Sequence, residues 1–195
     1  MAKEKYRQTV RITGGEFRGQ RIATPGEGTH PMGERERIAL FNMIKDRVEG
    51  NYVLDLFCGG GTLGIEALSR GARFAMLLDN SITAVETANK NLRKLGIDGV
   101  SGLFDYDPLI GGTGQAMRVD VPLAAKTATD RYGLVLADPP YDKYNEKLIK
   151  DIPRLVLDGG MLVLSHPGEP PELKLVRLVK SKKYAGATIS IYIKD

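Results

Sequence analysis

Short apolar runs alternate along the chain with longer segments whose apolar positions recur at helical spacing. From Gly33 onward, Ile38, Phe41, Ile44 and Val48 fall on one helical face. "YVLDLF" then reads as a buried strand. A glycine cluster follows, then the helical "TLGIEALSR", stopped by Gly71. The alternation continues with the strand "RFAMLLD" and the helix "ITAVETANKNLRKLG", whose spacing buries Ile82, Val85, Ala88, Leu92 and Leu95. "VSGLFD" reads as a short strand and "IGGTGQ" as a glycine-rich loop, while the stretch to Asp130 has no clear period. "YGLVLAD" is a strand bounded by Pro139 and Pro140, and "NEKLIKDIPRLVLDGG" is a helix that Pro153 should kink or split. "GMLVLSH" is another strand, and the tail gives two strands joined by a turn near Gly186. Ahead of all this, two β-prone runs flank "GGEFRG", the mark of a hairpin arm.

Strands alternating with helices predict an α/β, mostly parallel sheet with helices on both faces and an antiparallel C-terminal edge. Residues 1–32 form a basic hairpin arm and residues 33–195 the α/β domain. In such sheets ligands bind beyond the carboxyl ends of the strands. The segment Asp55 to Gly64, then Asp79, Asp105 and Asp138 to Tyr141, all fall at those ends.

Composition narrows the classes. A length of 195 residues fits one domain with its own core. No apolar run approaches the ~20 residues of a bilayer span, and no apolar stretch follows the first charges, so no membrane partner or secretory signal is expected. Cys58 is the single cysteine, which excludes an internal disulfide and fits a reducing cytoplasm. Two histidines, His30 and His166, make a Cys/His metal site improbable; both are expected at the surface or in loops. The net charge of +4 is uneven: residues 1–21 carry +4 and residues 172–195 carry +4, leaving the middle at −4. Basic ends around an acidic body suit a polyanion held from the flanks, though a solvated surface with basic termini would look the same. Arg11, Arg18 and Arg21 are the cations of the arm.

"CGGGTLG" contains G-x-G-x-x-G at Gly59, Gly61 and Gly64, and Asp79 follows Gly59 by twenty residues, which alone would match a dinucleotide site. Asp55 argues against that, because a carboxylate beside the loop repels a pyrophosphate. S-adenosylmethionine has no phosphate, and its methionine end carries an ammonium that Asp55 can bind. The glycines then let backbone approach the adenosine and sulfonium. Asp79 can accept both ribose hydroxyls, and Asp105 can accept from the adenine amine. A strand-to-helix turn by itself needs the glycines but not three acids at three strand ends.

"DPPY" completes the chemistry. An exocyclic amine of a nucleobase is a weak nucleophile because its lone pair is delocalised into the ring. Accepting both of its N–H bonds pulls the nitrogen toward a tetrahedral geometry and frees that pair. Asp138 and the Pro139 carbonyl supply two acceptors, Pro139 and Pro140 fix the backbone, and Tyr141 offers a face on which a flipped base stacks. An isolated Asp-Pro-Pro is a plain turn; beside a cofactor-type loop on the same sheet edge it is a catalytic one. Cys58 sits in the loop without a neighbouring base and reads as a small loop residue rather than a nucleophile.

These residues resemble a known family. "RITGGEFRGQRI", "ERERIALFNMI", "VLDLFCGGGTLGIEALSRGA" and "DPPY", in that order and spacing, are similar to the bacterial RsmD-type methyltransferases. The resemblance implies the Rossmann-like class I S-adenosylmethionine-dependent fold and transfer of a methyl group to the N2 amine of a guanine in small-subunit (16S) ribosomal RNA. The partner would be that RNA or a small-subunit assembly particle, and a cytoplasmic monomer without metal is expected. By motif, Asp55, Phe57, Cys58, Gly59, Gly61 and Asp79 fall in the cofactor pocket, Asp105 at the adenine, Asp138, Pro139, Pro140 and Tyr141 in the catalytic turn, and Arg35 and Arg37 near the target entrance. Two departures stand out. His30, Pro31, Met32, Gly33 and Glu34 replace the family's Arg-Pro-Thr-Thr-Asp, and Gly111 to Asp130 looks like an insertion. An N6-adenine methyltransferase on RNA or DNA would share the turn. An NAD-dependent oxidoreductase is opposed by Asp55 and the lack of a proton-relay histidine or lysine. A non-catalytic RNA-binding protein is opposed by the intact DPPY.

Overall fold

The computed structural model describes residues 9–26, 31–97, 113–129, 131–184 and 186–195. Asp105 and His30 lie outside them, as does the "VSGLFD" strand. An N-terminal hairpin pairs β1 (Thr9–Arg11) with β2 (Arg21–Ala23), and α1 (Glu34–Met43) leads into the sheet. There follow β3 (Tyr52–Leu56), α2 (Thr62–Ser69), β4 (Phe74–Asp79), α3 (Ile82–Lys94), β5 (Thr113–Arg118), α4 (Val121–Thr127) and β6 (Tyr132–Ala137). The short α5 (Glu146–Ile149), then β7 (Val156–His166), β8 (Val176–Lys183) and β9 (Thr188–Lys194), complete the chain.

The seven-stranded sheet has the order β5-β4-β3-β6-β7-β9-β8, with β9 antiparallel to both of its neighbours and the other strands parallel. The chain runs outward from β3 to β5 and returns to β6, so the strand order reverses between β3 and β6. That reversal opens the crevice where such sheets bind ligands. Period-two alternation sorts the strands' side chains into two cores. Val53, Leu77, Leu134 and Val163 pack with α1, α2, α3 and the hairpin; Leu54, Leu78, Val135 and Leu162 pack with α4 and α5.

Several expectations change. The strand beside β4 is Thr113–Arg118, inside the region that has no readable period. Its glycine serves packing, not a loop: a Cβ on Gly114 would lie 2.8 Å from Leu68 Cδ1 and 3.2 Å from Leu92 Cδ2, so only glycine lets α2 and α3 lie this close. The helix expected from Asn145 to Gly160 breaks up. Only Glu146–Ile149 is α-helical, Pro153 sits in a 3-10 turn, and "VLDGG" enters β7 as a bulge between the rungs Tyr132↔Val156 and Leu134↔Met161. Ile38 and Ile82 are exposed, while Leu40 of α1 and Ala84 of α3 are buried in their place. His166 is fully buried rather than superficial, and its Nε2 lies 2.8 Å from Ser190 Oγ.

The hairpin is held to the main sheet by buried polar groups. Glu66 of α2 accepts from Thr13 N (2.9 Å), Thr13 Oγ1 (2.6 Å) and Arg70 Nε (2.8 Å). Asn91 of α3 accepts from Ala23 N and donates to the Ala23 and Gly60 carbonyls, so it ties β2 to the loop after β3.

Candidate active site

The loop after β3 is shaped by its own acids. Gly61 is the N-cap of α2 and has no side chain to satisfy the helix's first amides. Asp55 does so instead. Alternation along β3 turns it toward α2, and its Oδ2 accepts from Gly64 N at 2.8 Å. A Cβ on Gly64 would stand 3.2 Å from Asp55 Cβ and 3.0 Å from Leu77 Cγ, so any side chain there would press on both neighbours. Asp55 is 1% exposed, and burial pushes its carboxyl up to about 8, opposed by the Gly64 amide. Asp79, at the end of β4, accepts from Gly59 N and from Ser81 N, both at 2.9 Å. Phe57 takes a left-handed φ of 62°, an unusual conformation for a bulky residue, at the point where the chain turns into the glycines. Cys58 is buried, which raises its thiol well above the usual range, so it is a space-filling residue and not a nucleophile.

Asp138, Pro139, Pro140 and Tyr141 leave β6 beside this loop, since Leu56 and Ala137 share a rung. Burial pushes Asp138 up to about 6, while the Ser165 hydroxyl and the Met32 amide pull it back toward the charged form. Tyr141 is about one-third exposed and its hydroxyl lies 2.5 Å from Ser165 Oγ.

One cavity of about 940 Å³ joins both halves: Asp55, Phe57, Cys58, Gly59 and Asp79 line one side, Asp138, Pro140 and Tyr141 the other. Among the described residues Glu36, Asp55, Asp79, Asp138 and Asp142 line it, with Lys143 as the one cation. An anionic lining of this kind repels a pyrophosphate and attracts a ligand with positive charge. The ammonium and sulfonium of S-adenosylmethionine suit a lining of that charge. The acid after the third strand of the crevice is Asp120, which caps α4 by accepting from Leu123 N at 2.9 Å.

Sequence reasoning misses the lining from elsewhere: Thr24 and Pro25 after β2, Met32 and Glu36 around the start of α1, Ser165, and Ile189 of β9. Ser165 alone carries a readable signal, a hydroxyl inside the apolar run "MLVLSH". Met32 and Gly33, which depart from the family pattern, lie against the cavity itself.

The arginines separate into two groups. Arg18 and Arg35 are exposed; Arg11 is exposed and pairs with Glu34; Arg21, also exposed, donates to Thr9 Oγ1 at 2.7 Å. Arg37 is a correction. It is 1% exposed, donates to the carbonyls of Met32 (2.7 Å) and Arg11 (2.6 Å), and stands 3.7 Å from Glu66, so it braces the arm and cannot reach a nucleic acid. Among the described residues no cluster of three His, Cys, Asp or Glu could hold a metal ion, and no helix is long and apolar enough to cross a membrane.

Sheet order, switch-point loop and the DPPY turn beside it define the Rossmann-like fold of the class I S-adenosylmethionine-dependent methyltransferases. The chain belongs to the family described as conserved hypothetical protein 95, the RsmD-type family, whose model matches residues 10–193. It is 30% identical over 192 residues to "Putative rRNA methyltransferase YlbH" of Bacillus subtilis (strain 168), covering 95% of this chain and 99% of that protein. It is 28% identical over 154 residues to "Ribosomal RNA small subunit methyltransferase D" of Escherichia coli (strain K12), covering 78% and 69%. The solved "Putative methyltransferase yhhF from Escherichia coli" superposes with a TM-score of 0.79 at 24% identity, covering 96% of this chain and 99% of that one.

Proposed function

We propose that this protein methylates the exocyclic N2 amine of a guanine in small-subunit ribosomal RNA, in the cytoplasm, on naked RNA or an assembly particle. The observation that carries the reading is the placement of Asp138 in an anionic cavity, one strand across from the glycine loop. S-adenosylmethionine, when bound, supplies an electrophilic methyl group. Asp55 would hold its ammonium, Asp79 its ribose and Asp120, in the position expected of Asp105, its adenine amine.

The chain's own part is positioning and charge placement. Asp138 and the Pro139 carbonyl accept from the target amine, freeing its lone pair, and Tyr141 supports the flipped base. The amine nitrogen would take the methyl group of the bound cofactor, which would leave as the neutral thioether, and the amine's surplus proton would pass to Asp138 and from there to solvent. Asp138, held near 6, is charged at neutral pH and stabilises the positive charge developing on that nitrogen. The exposed arginines of the arm, with Arg35, would contact phosphates. The relatives named for ribosomal RNA methylation support RNA as the target class.

The test is transfer of labelled methyl groups to purified small-subunit RNA and to subunit particles, followed by nucleoside identification. N2-methylguanosine is the expected product. N6-methyladenosine would replace guanine by adenine as the target, and no transfer to either substrate would overturn the RNA reading.

A further inference from the structure

Ser165 is the one hydroxyl inside the buried run of β7, between the apolar residues Met161 to Leu164 and His166, and it is 1% exposed. A buried hydroxyl must find partners. The sheet register supplies them. Ala137 pairs with Leu164, so the next rung sets Asp138 beside Ser165, across the strand boundary where the turn leaves β6. Tyr141, three residues on, folds back and places its hydroxyl 2.5 Å from Ser165 Oγ.

Proton counting fixes the direction of the chain. An ionised carboxylate only accepts, while a serine hydroxyl has one proton to give and lone pairs to accept with. With Asp138 ionised, Ser165, its hydrogen-bond partner, donates to it and is left to accept from the Tyr141 hydroxyl. We propose that Ser165 is a positioning residue of the methyl-transfer site, fixing the Asp138 carboxylate and the Tyr141 ring relative to one another through its single hydroxyl. This rests on the reading of the DPPY turn as the catalytic one. Pro139 and Pro140 fix the backbone of that turn, but side-chain torsions stay free in a proline turn. Ser165 removes that freedom from outside the turn, from the neighbouring strand β7. Such preorganisation matters because catalysis here depends on where two acceptors point.

The charge environment gives the proposal a distinctive readout. Titratable groups that line the same cavity include Glu36 of α1, Asp55 of β3, Asp79 of β4, and Tyr141, Asp142 and Lys143 of the turn. Burial opposes ionisation of Asp138, while the Ser165 hydroxyl and the Met32 amide favour it. Activity requires the ionised form and is lost as pH falls through the pKa of Asp138. Removing the Ser165 donor raises that pKa, so the acid limb moves to higher pH.

The experiment is single-turnover methyl transfer to small-subunit RNA across pH 5 to 8. Ser165→Ala should slow transfer roughly ten-fold at neutral pH, as expected for a lost hydrogen bond to a charged group, and move the acid limb upward. Ser165→Thr should restore both. Tyr141→Phe should slow the wild type by a few-fold and add nothing in the Ser165→Ala background, because its hydroxyl acts only through Ser165. Ser165→Cys, a weaker donor of similar size, gives the same comparison should the alanine variant melt early. An unmoved acid limb together with an equal Tyr141→Phe effect in both backgrounds would reduce Ser165 to packing. Asp138→Ala, run alongside, separates the two readings. If it is neutral, the turn is not catalytic; if it is severe while Ser165→Ala is neutral, only the positioning role falls.

Discussion

The two halves of the cavity use their acids differently. On the β3–β4 side, Asp55 and Asp79 bond backbone amides of the very loop they serve, at Gly64, Gly59 and Ser81. On the β6 side, Asp138 has the Ser165 hydroxyl and the Met32 amide, groups from other parts of the chain, as its hydrogen-bonding influences. In the proposed function the first half is a frame whose structural acceptors would also serve the cofactor, and the second an acceptor that would face the target amine, steadied by its neighbours. A mutation in the first half should therefore cost stability and cofactor binding together, and one in the second should cost the chemical step alone.

Asp138→Ala gives the largest effect and the cleanest test of this division. Loss of one preorganised electrostatic contact is worth about 3 kcal/mol, a hundred-fold or more in single-turnover rate. Cofactor affinity and melting temperature should stay near wild type. Asp138→Asn keeps an acceptor oxygen without the charge and should fall between. An alanine variant within a few-fold of wild type would show that the turn is only a turn.

Asp79→Ala should do the opposite. Its ribose contacts are worth about 1.5–3 kcal/mol, or roughly ten- to a hundred-fold in cofactor affinity by calorimetric titration. Because Asp79 also holds Gly59 N and Ser81 N, the melting temperature of the free protein should fall as well. Weakened binding with unchanged melting would mean that the frame does not depend on this acid. A smaller effect is expected at the arm: replacing Arg11, Arg18 and Arg21 together should weaken RNA binding and flatten its salt dependence, with cofactor affinity unchanged. An unchanged salt slope would make these arginines structural, as Arg37 already is.

The same division explains what the sequence discloses. The frame half is legible because its residues are contiguous: strand, glycines and helix lie between Tyr52 and Ser69, with Asp79 ending the next strand. The turn is legible because prolines punctuate it. Ser165, Met32 and Ile189 reach the cavity through tertiary packing, which local spacing does not encode. Arg37 misleads for a related reason. Its charge suggests solvent or phosphate, yet it is buried, paired with Glu66 at 3.7 Å and donating to two carbonyls. The third strand is missed because Gly114 imitates a loop residue, when its small size is what lets two helices cover it.

The smallest effect probes Asp55, where frame and ligand roles meet in one carboxyl. With burial holding it at about 8, Asp55 in the free protein is mostly neutral at pH 7. A cofactor ammonium nearby favours the charged form, so binding near neutrality should expel a proton. Because the folded pKa is raised above the ordinary 3.8, Asp55 stabilises the free protein most fully below pH 4, and that contribution is lost as pH rises toward 8. Cofactor affinity has the reverse trend, strengthening by a few-fold between pH 6 and 8 as less work is needed to ionise the site. Titration calorimetry in buffers of different ionisation enthalpy measures the proton count directly. Wild type should release a fraction of a proton at pH 7, and Asp55→Asn, which keeps an acceptor for Gly64 N, should release none from this site. Equal proton release from both proteins would place the ammonium away from Asp55.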